Sequence, residues 1–232
     1  MPELDWGSLT TRVKPEPSLV LITGSLALVA VAVDRVWRWS RSVVTIVHEA
    51  GHAVVAKLTG RRLTGIRLHS DTSGLTVSVG RAYGPGMVFT MAAGYVSPSL
   101  VGLVGVLLLA YDQVTIMLWG AAAVLLSMLS LIRNLYGALL LVAVGAVVGA
   151  ISLYAEPDVQ AAFGYGVTWF MLLGAVRPVG ELRRTRRNGT VGLATDADQL
   201  ARLTRVPGTI WVGLFGATTV GALVAGGWLL LT

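Results

Sequence analysis

The chain predicts an all-α polytopic membrane protein of about six to seven transmembrane helices with one small β-hairpin, and three observations carry that prediction. Hydrophobic residues fill 54% of the 232 positions and charged residues only 13%, against about 25% charge in an ordinary soluble domain. Mean hydropathy is +0.72, and several stretches run uncharged for long enough to cross a roughly 30 Å hydrocarbon core. Two short segments alternate apolar and polar residues around a turn, which is a hairpin pattern. This composition argues against a water-soluble enzyme and excludes a disordered chain or a basic nucleic-acid-binding domain.

Residues 1–16 mix Glu3, Asp5, Arg12, Lys14 and Glu16. They read as a tail without the basic start of a secretory signal. The first apolar run, 17–33, is at the short end of a span. A turn at 34–41 with Arg35, Arg38 and Arg41 leads to a second apolar segment, 42–56, interrupted by His48, Glu49 and His52. Residues 65–70 and 75–80 alternate around 71–74 and form the predicted hairpin. Uncharged runs at 87–110, 113–132, 135–155, 159–176 and 207–232 complete the set. Only helices close their own backbone hydrogen bonds in lipid, so all seven apolar segments are expected to be helical. A loop is expected at 183–195, turning into a helix at Asp196. Residues 17–232 thus form one membrane-embedded domain.

Charge placement gives the orientation. Of 18 basic residues 16 are Arg, and they gather in residues 57–86, at Arg133 and in 177–206. The alternate connections carry Asp112, Glu156 and Asp158. The positive-inside rule places the basic segments in the cytoplasm of a multi-pass cell-membrane protein. The Arg-rich turn at 34–41 conflicts with this, because simple alternation puts it outside. Two explanations stand: a partly inserted first helix, or Arg side chains that snorkel to the interface.

The segment that carries chemistry is His48-Glu49-Ala50-Gly51-His52. On a helix, positions i and i+4 share a face, so both imidazoles reach one tetrahedral metal. Glu49 lies beside them, where a carboxylate can take a proton from water that the metal acidifies. With 3 His in the whole chain, the pattern arises by chance in roughly one such chain in a thousand. Two hydrogen-bonded core histidines are the plain alternative. Three ionisable groups in five residues of an apolar span, however, are costly and mark function by default. No cysteine is present, so any metal is held by His and carboxylate.

Set in an apolar helix and followed by a hairpin and further spans, this motif resembles the site-2 protease family of intramembrane zinc metalloproteases. The closest likeness is to short bacterial members without a PDZ domain. The resemblance implies one zinc ion held by His48 and His52, Glu49 as general base, and an Asp ligand from a later helix. It also implies a membrane-protein substrate cleaved in or next to its membrane-spanning segments; the orientation set by the basic segments puts the active site toward the cytoplasm. The chain lacks the family's usual Asn-Pro-x-x-Asp-Gly or Leu-Asp-Gly stretch. Glu181, Asp196 and Asp198 are the available carboxylates, and the resemblance points to Asp196, with Asp198 as the alternative. Capping competes with ligation here, because Thr195 with Asp198, or Asp196 with Gln199, also reads as a helix-capping pair. Either Asp reaches the motif only if 183–195 folds back into the bundle.

Weaker candidates read as structural: Asn134 in a polar turn, Arg177 paired with Glu181 four residues on, and His69 on the solvated face of its strand. Gly94 and 97–99 mark a kinked, tightly packed helix. The hairpin edge offers strand addition to an unwound substrate. A metal-binding membrane protein without proteolysis, such as a zinc transporter or a degenerate relative, is the rival function. Glu49 argues against it, because a pure binder has no use for a base. Composition offers no nucleic-acid partner and leaves the oligomeric state open.

Overall fold

The computed structural model describes residues 16–187 and 195–232. Residues 1–15 of the predicted 1–16 tail and most of the predicted 183–195 loop lie outside them. Eight helices and a two-stranded antiparallel sheet make up the described chain. They are α1 Pro17–Ala32, α2 Asp34–Leu58, β1 Arg62–Leu68, β2 Gly74–Val79, α3 Pro85–Ala110 and α4 Val114–Leu129. After these come α5 Leu135–Tyr154, α6 Pro157–Arg187, α7 Asp196–Thr204 and α8 Gly208–Leu231. The all-α polytopic class with one small hairpin holds.

Span number is lower than the sequence predicts. Among the described residues α3, α5, α6 and α8 are long and apolar enough to cross a membrane, and the bent pair α1–α2 adds at most a fifth span. Two corrections account for the difference. First, 113–132 is not a full span: α4 has only 16 residues, because 131–133 leave the helix to hydrogen-bond with β1. The Ile66 amide donates to the Leu131 carbonyl (2.8 Å), and the Arg133 amide donates to the Ile66 carbonyl (2.9 Å). Second, 34–41 is not a turn but the start of α2, which meets α1 at 102° across the single extended residue Val33.

That bend removes the orientation conflict. The α1–α2 junction is clasped to α6: Arg177 bonds the Val31 carbonyl and Asp34. Glu181 accepts from Arg41 (3.2 Å) and Arg177 (3.3 Å), and from the buried indole N–H of Trp37 (2.9 Å). The Arg-rich start of α2 therefore lies against the end of α6 that carries Arg183, Arg184 and Arg187, beside other basic residues rather than across from them. α6 runs eleven residues past its predicted end at 176, because the Arg177–Glu181 pair keeps the helix going where uncharged sequence stops. Residues 183–187 are thus helix, not loop.

The hairpin begins three residues earlier than predicted, with a register irregularity between Leu63 and Gly65. β1 ends at Leu68, so His69 sits in the connecting turn, where its amide donates to the Ser73 carbonyl. Asn134 clamps the end of β1: its amide group donates to the Leu68 carbonyl (2.6 Å) and its oxygen accepts from the Leu68 N–H (3.2 Å). Ile66, Leu68, Ile46, Met128 and Leu141 form the buried cluster beneath the strand. In β2 the alternation is real but its faces are reversed from those of a soluble sheet. Thr76 and Ser78 turn inward, and Leu75, Val77 and Val79 are exposed.

Candidate metal centre

Every residue of the His-Glu-His motif lies on α2, whose one amphipathic face packs on α3 and the hairpin. Glu49 is 4% and His52 5% exposed. The His52 Nδ1 lies 2.7 Å from the Thr90 carbonyl. A carbonyl only accepts, so Nδ1 donates to it, which leaves Nε2 as the ring nitrogen available to a metal. His48 and His52 present their Nε2 atoms 3.0 Å apart, as the one-turn spacing predicts. The His48 ring also meets Tyr95 edge-on at 4.9 Å, and Tyr95 in turn stacks on Phe215 of α8.

Two close approaches build the pocket. A Cβ on Gly94 would overlap the Nε2 atoms of both histidines. A Cβ on Gly51 would come within 2.6 Å of Ser97 Cβ. Any side chain at either position pushes α2 and α3 apart or fills the space between the imidazoles. The small residues of α3 seen in the sequence are therefore part of the site as well as of helix packing.

The third group arrives on α7. α7 itself packs into the bundle, with Ala197 and Leu200 fully buried against Val179, Val212 and Phe215. Thr195 caps the helix: its hydroxyl accepts from the Asp198 amide (3.3 Å), and the Asp198 carboxylate accepts from the Thr195 hydroxyl (2.6 Å). Arg186 holds the other Asp198 oxygen. Burial would raise the Asp198 carboxyl, but the Thr195 hydroxyl and the Arg186 guanidinium outweigh it and hold the group below its ordinary value. With the capping work done by Asp198, the Asp196 carboxylate at the first helical position lies 3.2 Å from His48 Nε2 and 3.3 Å from His52 Nε2. Burial opposes its charge, yet the two imidazoles hold it well below the usual carboxylate range. Glu181, the remaining acid candidate, is taken by Arg41, Arg177 and Trp37.

His48, His52 and Asp196 thus offer three ligand atoms to one point, the group of the described residues able to hold a metal ion. Their separations of 3.0, 3.2 and 3.3 Å match the edge of about 3.3 Å expected between ligands that sit roughly 2.0–2.1 Å from a tetrahedral ion. Two imidazoles and a carboxylate are also a three-ligand set found at catalytic metal sites, which keep a fourth position open. The donor set and its spacing fit a metal.

A family model described as Peptidase M50B-like matches residues 21–226, from α1 to near the end of α8, and so takes in all four site residues. The chain belongs to that family. It is accordingly a membrane-embedded metalloprotease in general class, and the site-2 protease-like resemblance of its motif holds. No curated protein and no solved structure matches the chain.

In this M50B-like peptidase the motif glutamate has a partner that the sequence did not reveal. The Thr76 hydroxyl of β2 donates to Glu49 Oε2 (2.6 Å). Gly74, at the start of that strand, lies so close that a Cβ there would come within 2.6 Å of Glu49 Cγ. The inward polar face of β2 was the available signal, since Thr76 is the polar residue of an alternating strand that ends up facing α2. Thr90 gave no signal at all, because it contributes a main-chain carbonyl that any residue has.

Proposed function

We propose that this peptidase is a zinc-dependent endopeptidase that hydrolyses peptide bonds in or next to the membrane-spanning segments of other membrane proteins. In this reading zinc is held by His48, His52 and Asp196, and the site faces the cytoplasm. The observation that carries it is the convergence of those three ligand atoms beside a buried glutamate. When bound, zinc supplies Lewis acidity and a water acidified to near pH 7.

The chain's own groups do the rest. Glu49 is the general base that takes the proton of the attacking water and returns it to the leaving amine. Thr76 fixes the Glu49 carboxylate by occupying one oxygen, leaving the other for the proton. The Thr90 carbonyl holds the His52 ring in its ligating tautomer. Asp196 brings the negative charge that two neutral imidazoles lack. The cytoplasmic assignment rests on the basic segments gathering beside α7 and the hairpin, following the positive-inside rule.

Substrate handling falls to β2. A helical peptide bond is shielded by its own hydrogen bonding, so the target has to unwind before it is cut. β2 has no strand partner on its outer edge among the described residues, and it runs past Glu49 from Gly74 to Val79. Strand addition there hands an extended segment to the base. Ile66 spends its amide and carbonyl on residues 131–133, so its partner Thr76 turns its main-chain groups to the open edge, as Ser78 does two residues on. Ser78→Pro removes one such outward amide, at the cost of the Arg61 bond to the Ser78 hydroxyl, and leaves the ladder to β1 in place. Cleavage of a membrane substrate is expected to fall about fivefold while metal content stays at the wild-type level, as losing one main-chain bond at about 1 kcal/mol requires. Unchanged cleavage removes the strand from the mechanism.

The direct test of the centre is metal analysis of the purified protein. About one zinc per chain is expected for the wild type, and none for His48→Ala or His52→Ala. Zinc that survives both replacements overturns the proposed ligation.

A further inference from the structure

We propose that the groove between α6 and α8 binds one anionic phospholipid, with its phosphate on Arg183, Arg186 and Arg187 and an acyl chain lying between the two helices. The groove is a cavity of about 780 Å³. Its mouth is formed by these three guanidinium groups at the end of α6, and its far end reaches Val176. Eleven residues of helix at about 1.5 Å each make it roughly 16 Å long, the depth of one leaflet of a roughly 30 Å hydrocarbon core. The lining is charged at one end and apolar beyond it. This is the profile of an amphiphile standing in a leaflet.

Glycines keep the groove open. A Cβ on Gly180 or Gly213 meets nothing within 4 Å, and one on Gly216 meets only Val179 Cγ1, at 3.9 Å. Length selects the occupant: a groove one leaflet deep with guanidinium groups at one end takes an acyl chain beneath its headgroup, whereas a substrate helix that crosses the bilayer runs on for about twice that depth.

Charge selects the headgroup. Among the described residues Arg183 and Arg187 have no acidic partner. Arg186 bonds Asp198 through one amino group, while its Nε–H is buried without any partner. A phosphate diester offers the acceptor oxygens that such forks match, and basic pockets between transmembrane helices are the places where anionic headgroups bind. Because Arg186 also holds Asp198 of the α7 cap, the lipid phosphate shares a guanidinium with the helix that presents Asp196.

The test is native mass spectrometry of the full chain in neutral detergent with equal amounts of phosphatidylglycerol and phosphatidylcholine of the same chains, a readout independent of peptidase activity. Wild type is expected to retain one phosphatidylglycerol in preference to phosphatidylcholine. Arg183→Gln with Arg187→Gln is expected to reduce that preference about fivefold for each Arg removed. Gly213→Leu, which has room for its side chain, is expected to lose both lipids while keeping the wild-type thermal midpoint in lipid-free detergent. Equal retention of the two lipids by wild type overturns the proposal, as does an undiminished preference in the double variant. It also fails if millimolar inorganic phosphate alone raises the thermal midpoint in lipid-free detergent as much as phosphatidylglycerol does. Loss of cleavage in Gly213→Leu with lipid retention unchanged assigns the groove to a substrate helix and likewise overturns it.

Discussion

Glu49→Gln is expected to leave zinc at about one per chain and to lower cleavage by about 10²–10⁴-fold, the range that a positioned general base contributes. Glutamine has nearly the same shape and still accepts the Thr76 hydroxyl bond, so the pocket keeps its packing. What it cannot do is take a proton. Glu49 is the buried carboxylate of α2, and its backbone carbonyl also accepts from Thr76 (3.2 Å). The side chain is therefore held from two sides and its replacement changes chemistry rather than position. Co-expression with a membrane substrate, followed by fragment analysis and metal content on the same preparation, gives both readouts. Cleavage at the wild-type rate in the Gln variant would falsify the hydrolytic role and leave a metal-binding membrane protein in its place.

A second large effect separates two neighbouring aspartates. Asp196→Asn is expected to weaken zinc binding beyond the roughly 10–100-fold that follows loss of an outer-shell partner, because it neutralises a ligand that faces both imidazoles at 3.2 and 3.3 Å. Asp198→Asn is expected to change zinc affinity by only a few fold. It costs about 1 kcal/mol of helix stability through the weakened cap, in a helix already anchored by buried Ala197 and Leu200. Titration of the apo protein with zinc against a competing chelator compares the two on one scale. The reverse order of effects transfers the ligand role to Asp198.

Much of this was legible in the residues. Spacing put His48 and His52 on one face because helical geometry is local, and the cost of burying Glu49 in an apolar segment marked the site without any fold in hand. The choice between Asp196 and Asp198 was not legible. Both sit in the same five residues, and only the three-dimensional placement of Thr195 and Arg186 reveals which carboxylate is spent on capping. The span count fits only roughly for a related reason: Val33 and residues 131–133 break the apolar pattern by backbone conformation and main-chain bonding, which composition does not record. Alternation in 75–79 gave the strand correctly but not its orientation. In water a strand turns its polar residues outward, whereas here the polar face is needed by Glu49 and the apolar face is exposed on the other side. Thr90 and Gly94 serve the centre through a carbonyl and through the absence of a side chain.

The arrangement of α2 and α7 has one more consequence. The protein has no cysteine and so no covalent tie between its first and last thirds, yet the three donors come from both sides of that long separation in sequence: two imidazoles from near the start, one carboxylate from near the finish. An ion gripped by all three closes a ring through most of the polypeptide, as a disulfide does in a secreted domain, and ring closure costs little more for a long loop than for a short one. Chelation would then cut a staple as well as remove a catalyst.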